Sequence, residues 1–181
     1  FFMIVAGINF ALHYRFLKGE WKVYLQNGET KAYILITLLS TVVLGILIIP
    51  GDFGFNFIDG IVHAVFQAAS IMTTTGYCTA NYEEWHPLAW VLLFCLMFVG
   101  GCAGSTGGGM KVIRVVLLFK IAFRELKRLV FPASVVVIKQ DGEPVSEKVL
   151  YGITGYFILV FMVFVFSCLL SNFVSDDFQL F

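Results

Sequence analysis

Charge is what this sequence has least of. Only 13% of its 181 residues are Asp, Glu, Lys or Arg, against about 25% in soluble domains, and 12 basic residues cancel 12 acidic ones. A chain of zero net charge projects no field that would gather nucleic acid, so no such partner is expected. Cysteine is scarce as well. Cys78, Cys95, Cys102 and Cys168 form no CxxC pair and share no metal spacing with His, which removes the zinc-ribbon and dithiol classes. Cys95 and Cys168 lie in apolar runs and Cys102 among glycines, so these three read as small packing residues. Catalysis lacks material too: there is no paired-carboxylate site, no Ser/His/Asp set and no metal cluster, so no enzyme is expected. Finally, Lys and Arg are missing from two stretches, 51–85 and 172–181.

What remains is apolar. Hydrophobic residues make up 59%, Phe alone numbers 20, and the mean hydropathy is +0.89. The runs at 32–49 and 149–170 carry no charge and are long enough to span a bilayer core of about 30 Å. An all-α integral membrane protein is therefore expected. The apolar stretch 1–12 is too short to span, and it reads as the tail of a helix that begins outside this sequence. A segment of a longer protein is expected, with 13–31 a connection in water. Pro50-Gly51-Asp52 should end the first spanning helix. A second spanning helix is expected over 88–129, broken at 100–109. Pro132 should stop it, and Asp141-Gly142 after a β-branched run suggests a small hairpin in a loop over 132–148. The polar stretch 171–181 reads as a further loop.

All twelve basic residues fall within 15–31, 111–128 or 139–148. By the positive-inside rule those segments face the cytoplasm and 50–87 faces outward. Between the two faces sits 58–72, apolar and helical in pattern but too short to cross, which suits a buried or re-entrant helix. Asn56 and Asp59 occupy N-cap and first-turn positions. His63, Gln67 and Ser70 form a polar face that lipid cannot satisfy. The run Thr73-Thr74-Thr75-Gly76-Tyr77 follows.

A short helix, a Thr/Gly run and two flanking spanning helices have the order of a pore loop. A dehydrating cation needs protein oxygens in place of water, and backbone carbonyls with Thr hydroxyls supply them. Gly76 admits backbone angles that a Cβ blocks. The negative end of the short helix points at the same spot. The rival reading is a polar turn joining two core helices. Downstream, six glycines within 100–109 cannot hold a regular helix at about 1 kcal/mol each. Close helix packing and an unwound intramembrane loop are the two readings, and the glycine density favours the loop. Ser105 and Thr106 are placed to satisfy its freed backbone groups. A Walker A reading of 104–111 fails, because Lys111 is followed by Val112 rather than Ser or Thr.

Two of these segments, in order, carry a resemblance. Phe66-Gln67-Ala68-Ala69-Ser70-Ile71-Met72-Thr73-Thr74-Thr75-Gly76-Tyr77 resembles the pore helix and filter of the Trk/Ktr/HKT potassium-uptake family. Gly100-Gly101-Cys102-Ala103-Gly104-Ser105-Thr106-Gly107-Gly108-Gly109-Met110-Lys111-Val112-Ile113-Arg114 resembles that family's glycine-rich break. The resemblance implies a membrane subunit with four helix–pore-loop–helix repeats around one pore. This sequence would hold the end of repeat two at 1–12, repeat three at 32–131 and the first helix of repeat four at 149–170. It implies a filter at Thr73, Thr74, Thr75, Gly76 and Tyr77, with K⁺ held at Thr74, Thr75 and Gly76. It implies a gate formed by Gly100, Gly101, Gly104, Ser105, Thr106, Gly107, Gly108 and Gly109. One Gly per filter repeat implies looser selectivity among K⁺, Rb⁺ and Na⁺ than the Thr-Val-Gly-Tyr-Gly filter gives. It further implies K⁺ as cargo without an organic cofactor, and a multi-pass homodimer in the lipid of a bacterial inner membrane. A cytosolic ring of NAD- or ATP-binding subunits of the TrkA/KtrA type would dock near 120–128 and 135–145. A coupled K⁺/Na⁺ or K⁺/H⁺ symporter on the same scaffold stays open, as does a non-conducting membrane sensor.

Other charges have two readings each. Lys111 and Arg114 either face the pore or snorkel to the interface. Arg124, Lys127 and Arg128 suit anionic headgroups. Asp52, Asp59, Glu83 and Glu84 either gather cations or cap and solvate loops. His63 reads as a packing group, and Tyr82, Trp85 and Trp90 as an outer aromatic belt.

Overall fold

The computed structural model describes residues 1–48, 57–132 and 136–178, with side chains described to 171. Pro50, Gly51, Asp52, Asn56 and Val135, invoked above, lie outside the described residues. The elements are α1 (Phe2–Ala6), α2 (Phe10–Leu17), α3 (Val23–Gln26), α4 (Gly28–Ile48), α5 (Phe57–Met72), α6 (Pro87–Val99), α7 (Val112–Val130), β1 (Lys139–Gln140), β2 (Glu143–Pro144) and α8 (Glu147–Phe178). A single 3₁₀ turn, Tyr82–Glu84, precedes α6. Among the described residues, two helices, Gly28–Ile48 and the Glu147–Ser171 stretch of α8, are long and apolar enough to cross a membrane.

Several boundaries differ from expectation, each for a local reason. The first segment is not one helix to residue 12. Gly7-Ile8-Asn9 interrupts it, and the Asn9 side chain restarts it by accepting the Ala11 N–H at 2.8 Å. The connection 13–31 is largely helical. Helix α4 begins at Gly28 instead of 32, because Asn27 Oδ1 accepts both the Thr30 N–H at 2.8 Å and its hydroxyl at 3.0 Å. The break in the second long segment runs from 100 through 111, with α7 starting at Val112. The expected loop at 171–181 is helical through Phe178, since neither Gly nor Pro punctuates that stretch.

By contact the chain divides into two compact units, Phe1–Val116 and Leu117–Phe181. In the first, α4 buries a stripe of Thr30, Tyr33, Thr37, Ser40, Leu44 and Ile48 at helical spacing. Thr37 and Ser40 are satisfied within the helix, donating to the Tyr33 and Ile36 carbonyls, both at 2.8 Å, while the Tyr33 hydroxyl donates to the Ile4 carbonyl of α1 at 3.1 Å. Helix α5 answers with Gly60, Ala64 and Ala68, small enough to let the two backbones approach. Helix α6 starts cleanly, with His86 accepting the Leu88 N–H and Pro87 at its first position. It adds Ala89, Leu93 and Leu96 to the core. Trp85 joins that core at 3% exposure, so it is not part of an outer belt. The outward face of α4, with Leu35, Leu38, Leu39, Val42 and Ile46 exposed, is apolar too, which suits hydrocarbon or a protein neighbour rather than water.

In the second unit, β1 and β2 pair antiparallel, Lys139 opposite Pro144 and Gln140 opposite Glu143. Asp141 and Gly142 both have positive φ, as a two-residue hairpin turn requires. Lys120 Nζ grips the hairpin through the Lys139 carbonyl at 2.7 Å and Gln140 Oε1 at 2.9 Å. Arg124, nearly buried, donates to Glu147 at 2.6 Å and to Glu125 at 3.2 Å. The pair fixes the first turn of α8 against α7.

Candidate functional site

The polar face of α5 is a buttress. Its three members reach, in register, the residues that return from its C-terminus: Ser70 Oγ donates to the Tyr77 carbonyl at 2.6 Å, Gln67 Nε2 approaches Cys78 Sγ at 4.0 Å, and His63 Nδ1 pairs with Thr79 Oγ1 at 2.8 Å. Ser70 and Gln67 are fully buried. Helical spacing on one side thus meets extended spacing on the other, and it holds 73–79 alongside α5 rather than beyond it.

The backbone of 73–77 is tightly wound at its start. Thr73 and Thr74 still donate N–H bonds to Ala69 and Ile71, and the N–H of Thr75 and that of Gly76 both reach the Ser70 carbonyl. Thr74 sits at φ +57 and Gly76 at +81. Positive φ costs a β-branched residue about 1–3 kcal/mol, a strain that the surrounding contacts must hold. The Thr73 hydroxyl donates to the Ala69 carbonyl and lies 2.7 Å from that of Thr75. Among the described residues, none donates to the carbonyl oxygens of Thr73, Thr74, Thr75 or Gly76. These oxygens sit at the C-terminal, electronegative end of α5 and are free to ligate a hard cation.

The glycine-rich segment 100–111 is an ordered, unwound loop. Gly100 ends α6 at φ +73, where a Cβ would overlap the Gly108 carbonyl oxygen and stand 3.0 Å from Gly109 Cα. Only glycine lets the two arms of the loop cross that closely. The loop reaches back to the 73–77 segment: the Gly108 N–H donates to Thr74 Oγ1 at 2.7 Å. A Cβ on Gly108 would sit 3.2 Å from the same oxygen. Lys111, at φ +76, folds its ammonium back onto the Gly107 carbonyl instead of extending away. Arg114 lies in the first turn of α7 and is half-buried.

Other anchors hold the loop from the far side. Cys102 N–H donates to the Gly7 carbonyl at 2.8 Å and Phe10 N–H to that of Gly104 at 3.1 Å. Ser105 Oγ satisfies the Cys102 carbonyl at 2.6 Å, and Thr106 Oγ1 that of Ala6 at 3.2 Å. Glu29 Oε1 accepts from Ala103 N–H at 2.6 Å. The N–H groups of Cys102, Ala103, Ser105, Gly108, Met110 and Val112 are given to protein acceptors, so these six do not face a phosphate.

Sequence reasoning singled out both segments but missed their partners. Glu29, Gly7 and Asn9 lay in stretches read as connection or helix tail. The signal for Glu29 was present: Asn27 as N-cap with an acid two residues on marks a helix start. Among the described residues, no three His, Cys, Asp or Glu side chains converge on a metal site.

The chain as a whole has known relatives. Residues 1–181 match the TrkH family, described as cation transport protein. The chain belongs to the TrkH family. It is 38% identical over 182 residues to the Trk system potassium uptake protein TrkH of Salmonella typhimurium, covering 99% of this chain and 38% of that protein. It is 40% identical to the protein of the same name from Vibrio parahaemolyticus, over 94% of this chain and 36% of that one. The crystal structure of the potassium transporter TrkH from Vibrio parahaemolyticus superposes with a TM-score of 0.85 at 40% identity, covering 91% of this chain and 36% of the other. The chain therefore spans about 38% of the length of such TrkH relatives. TrkH proteins are transporters rather than enzymes.

Proposed function

We propose that this chain is one pore repeat of a potassium-uptake protein, with α4 and the α6–α7 pair as its two long helices and α5 as its pore helix. Residues 73–77 form its quarter of the selectivity filter, and K⁺ passes the carbonyls of Thr74, Thr75 and Gly76. The observation that carries this reading is the run of carbonyls at 73–76 that accept no hydrogen bond from the described residues, beside a return segment held by Ser70, Gln67 and His63. Such oxygens are costly inside a protein unless they meet water or an ion. The names of the relatives support potassium as the ion.

The loop at 100–111 is the gate. Its bond from Gly108 to Thr74 sets it against one end of the filter, and Lys111 adds a positive charge there that opposes a cation. The distribution of Lys and Arg supports a multi-pass protein in a bacterial inner membrane, with the connection 13–31 and the loop 132–148 cytosolic. One repeat leaves the filter without its other walls, so conduction belongs to the whole protein, working as a homodimer with a cytosolic nucleotide-binding ring of the TrkA/KtrA type.

The test is Rb⁺ and K⁺ uptake into liposomes holding the full-length parent, wild type against Gly76→Ser. Loss of K⁺ preference in the variant supports the filter reading, and identical selectivity refutes it. Uptake that needs a Na⁺ or proton gradient would turn the reading to symport.

A further inference from the structure

Most anchors between the glycine-rich loop and the rest of the fold are bonds between neutral groups, and those to Glu29 are not. Glu29 is buried, at 7% exposure, in the first turn of α4. Its Oε1 accepts the Ala103 N–H at 2.6 Å and the Ile113 N–H at 3.3 Å. Ala103 lies on the entering arm of the loop, and Ile113 lies in the first turn of α7, just past its exit. A single carboxylate oxygen therefore joins both flanks of a segment that six glycines leave without helical rigidity of its own.

We propose that Glu29 is the latch of this loop: a positioning residue whose carboxylate ties both flanks to α4 and so keeps the loop against the filter. The inference rests on the gate reading given above. The chemistry favours Glu29 over the other anchors. Its bonds are charge-assisted, about twice as strong as those between neutral groups. The negative charge sits in the first turns of two helices, α4 and α7, where the helix dipole stabilises an anion. Displacing the loop alone would break the Ala103 N–H bond to a buried carboxylate, a larger penalty than losing a bond to a neutral carbonyl. The loop can then leave the filter only if the start of α4 moves with it, or if both bonds break together. Since α4 follows directly on the connection 18–27, movement there would reach the loop through Glu29.

The test uses the full-length parent in liposomes, carrying Cys102 as its sole cysteine. Cys102 neighbours Ala103 and is fully buried, so its labelling by a permeant maleimide reports loop displacement independently of flux. Glu29→Ala and the isosteric Glu29→Gln are compared with Glu29→Asp, and resting Rb⁺ uptake is read beside labelling. Both neutral variants are expected to speed Cys102 labelling and raise resting uptake by roughly 10- to 100-fold, with Glu29→Asp close to wild type. A Glu29→Gln protein that assembles normally and labels Cys102 no faster than wild type overturns the latch. So does faster labelling without a rise in uptake, if shortening the loop across 104–108 does raise uptake. Should loop shortening leave uptake unchanged, the gate reading fails by itself, and the labelling rates still decide whether Glu29 holds the loop.

Discussion

The contact between the proposed filter and the glycine-rich loop can be cut by one substitution that changes little else. Thr74→Val keeps the β-branched shape and nearly the same volume, so the strain of φ +57 is common to both residues. What is lost is the acceptor for the Gly108 N–H, now 2.7 Å away. A neutral hydrogen bond contributes about 1 kcal/mol net, and an N–H left buried without a partner raises the cost to about 3 kcal/mol. Thr74 is exposed in this repeat, so water can reach the orphaned N–H and the lower end applies. About 1–1.5 kcal/mol is roughly a 5- to 12-fold shift in the balance between loop-on and loop-off states. Resting Rb⁺ uptake by the full-length parent in liposomes should rise by that factor. The K⁺/Na⁺ ratio should hold, because the Thr74 carbonyl is untouched, and Thr74→Ser, which restores the hydroxyl, should return uptake to the wild-type level. Equal resting uptake in Thr74→Val and wild type would refute the tether. A changed ion ratio with unchanged resting uptake would mean that the hydroxyl serves the ion instead.

Three further outcomes can be checked. At Gly76 nothing lies within 4 Å of an added Cβ, yet φ is +81, so Gly76→Ser should act through backbone strain of about 1–2 kcal/mol; competition of Na⁺ against Rb⁺ uptake should strengthen, and unaltered competition contradicts the assignment. Gly100→Ala meets the Gly108 carbonyl and a wrong-handed φ together, so it should lower the melting temperature of the purified parent more than Gly76→Ser does, by more than about 3 kcal/mol of stability; equal melting temperatures would deny the crossing of the loop's arms. Arg124→Ala removes a nearly buried guanidinium whose carboxylate partners are half-exposed and can rehydrate, so the loss should be only about 1 kcal/mol, read as faster hydrogen exchange at 147–150; unchanged exchange there would show that the pair does not fix α8.

What was legible in the sequence was periodicity, and what was not was partnership. The face formed by His63, Gln67 and Ser70 stood out because polar residues at helical spacing conflict with an apolar segment. That conflict said the face needed a protein or water partner, but not that Tyr77, Cys78 and Thr79 would supply it one rung at a time. The glycine density at 100–109 announced an unwound stretch, since so many glycines cannot stay helical. Why each glycine is needed came only with the coordinates: Gly100 for a positive φ under a crossing carbonyl, Gly108 for approach to Thr74. Trp85 illustrates the opposite error. A Trp beside acidic residues near a helix start has the pattern of an interfacial belt, and only the packing of α6 shows it in the core.

Glu29 was hidden for a different reason. A charged residue directly after Asn27-Gly28 looks like part of a solvated turn, because turn chemistry and helix-start chemistry use the same residue types. The two are told apart by what the carboxylate meets, and its donors lie 74 and 84 positions away. No local window contains that information. The same holds for Gly7, whose added Cβ would stand 2.8 Å from the Tyr33 ring and 3.0 Å from Thr73. In the proposed filter the ion meets successive backbone oxygens, so that chemistry is written contiguously. The support of the glycine-rich loop comes from wherever the fold can bring a donor or an acceptor, so in this chain it is scattered over Ala6, Gly7, Phe10 and Glu29.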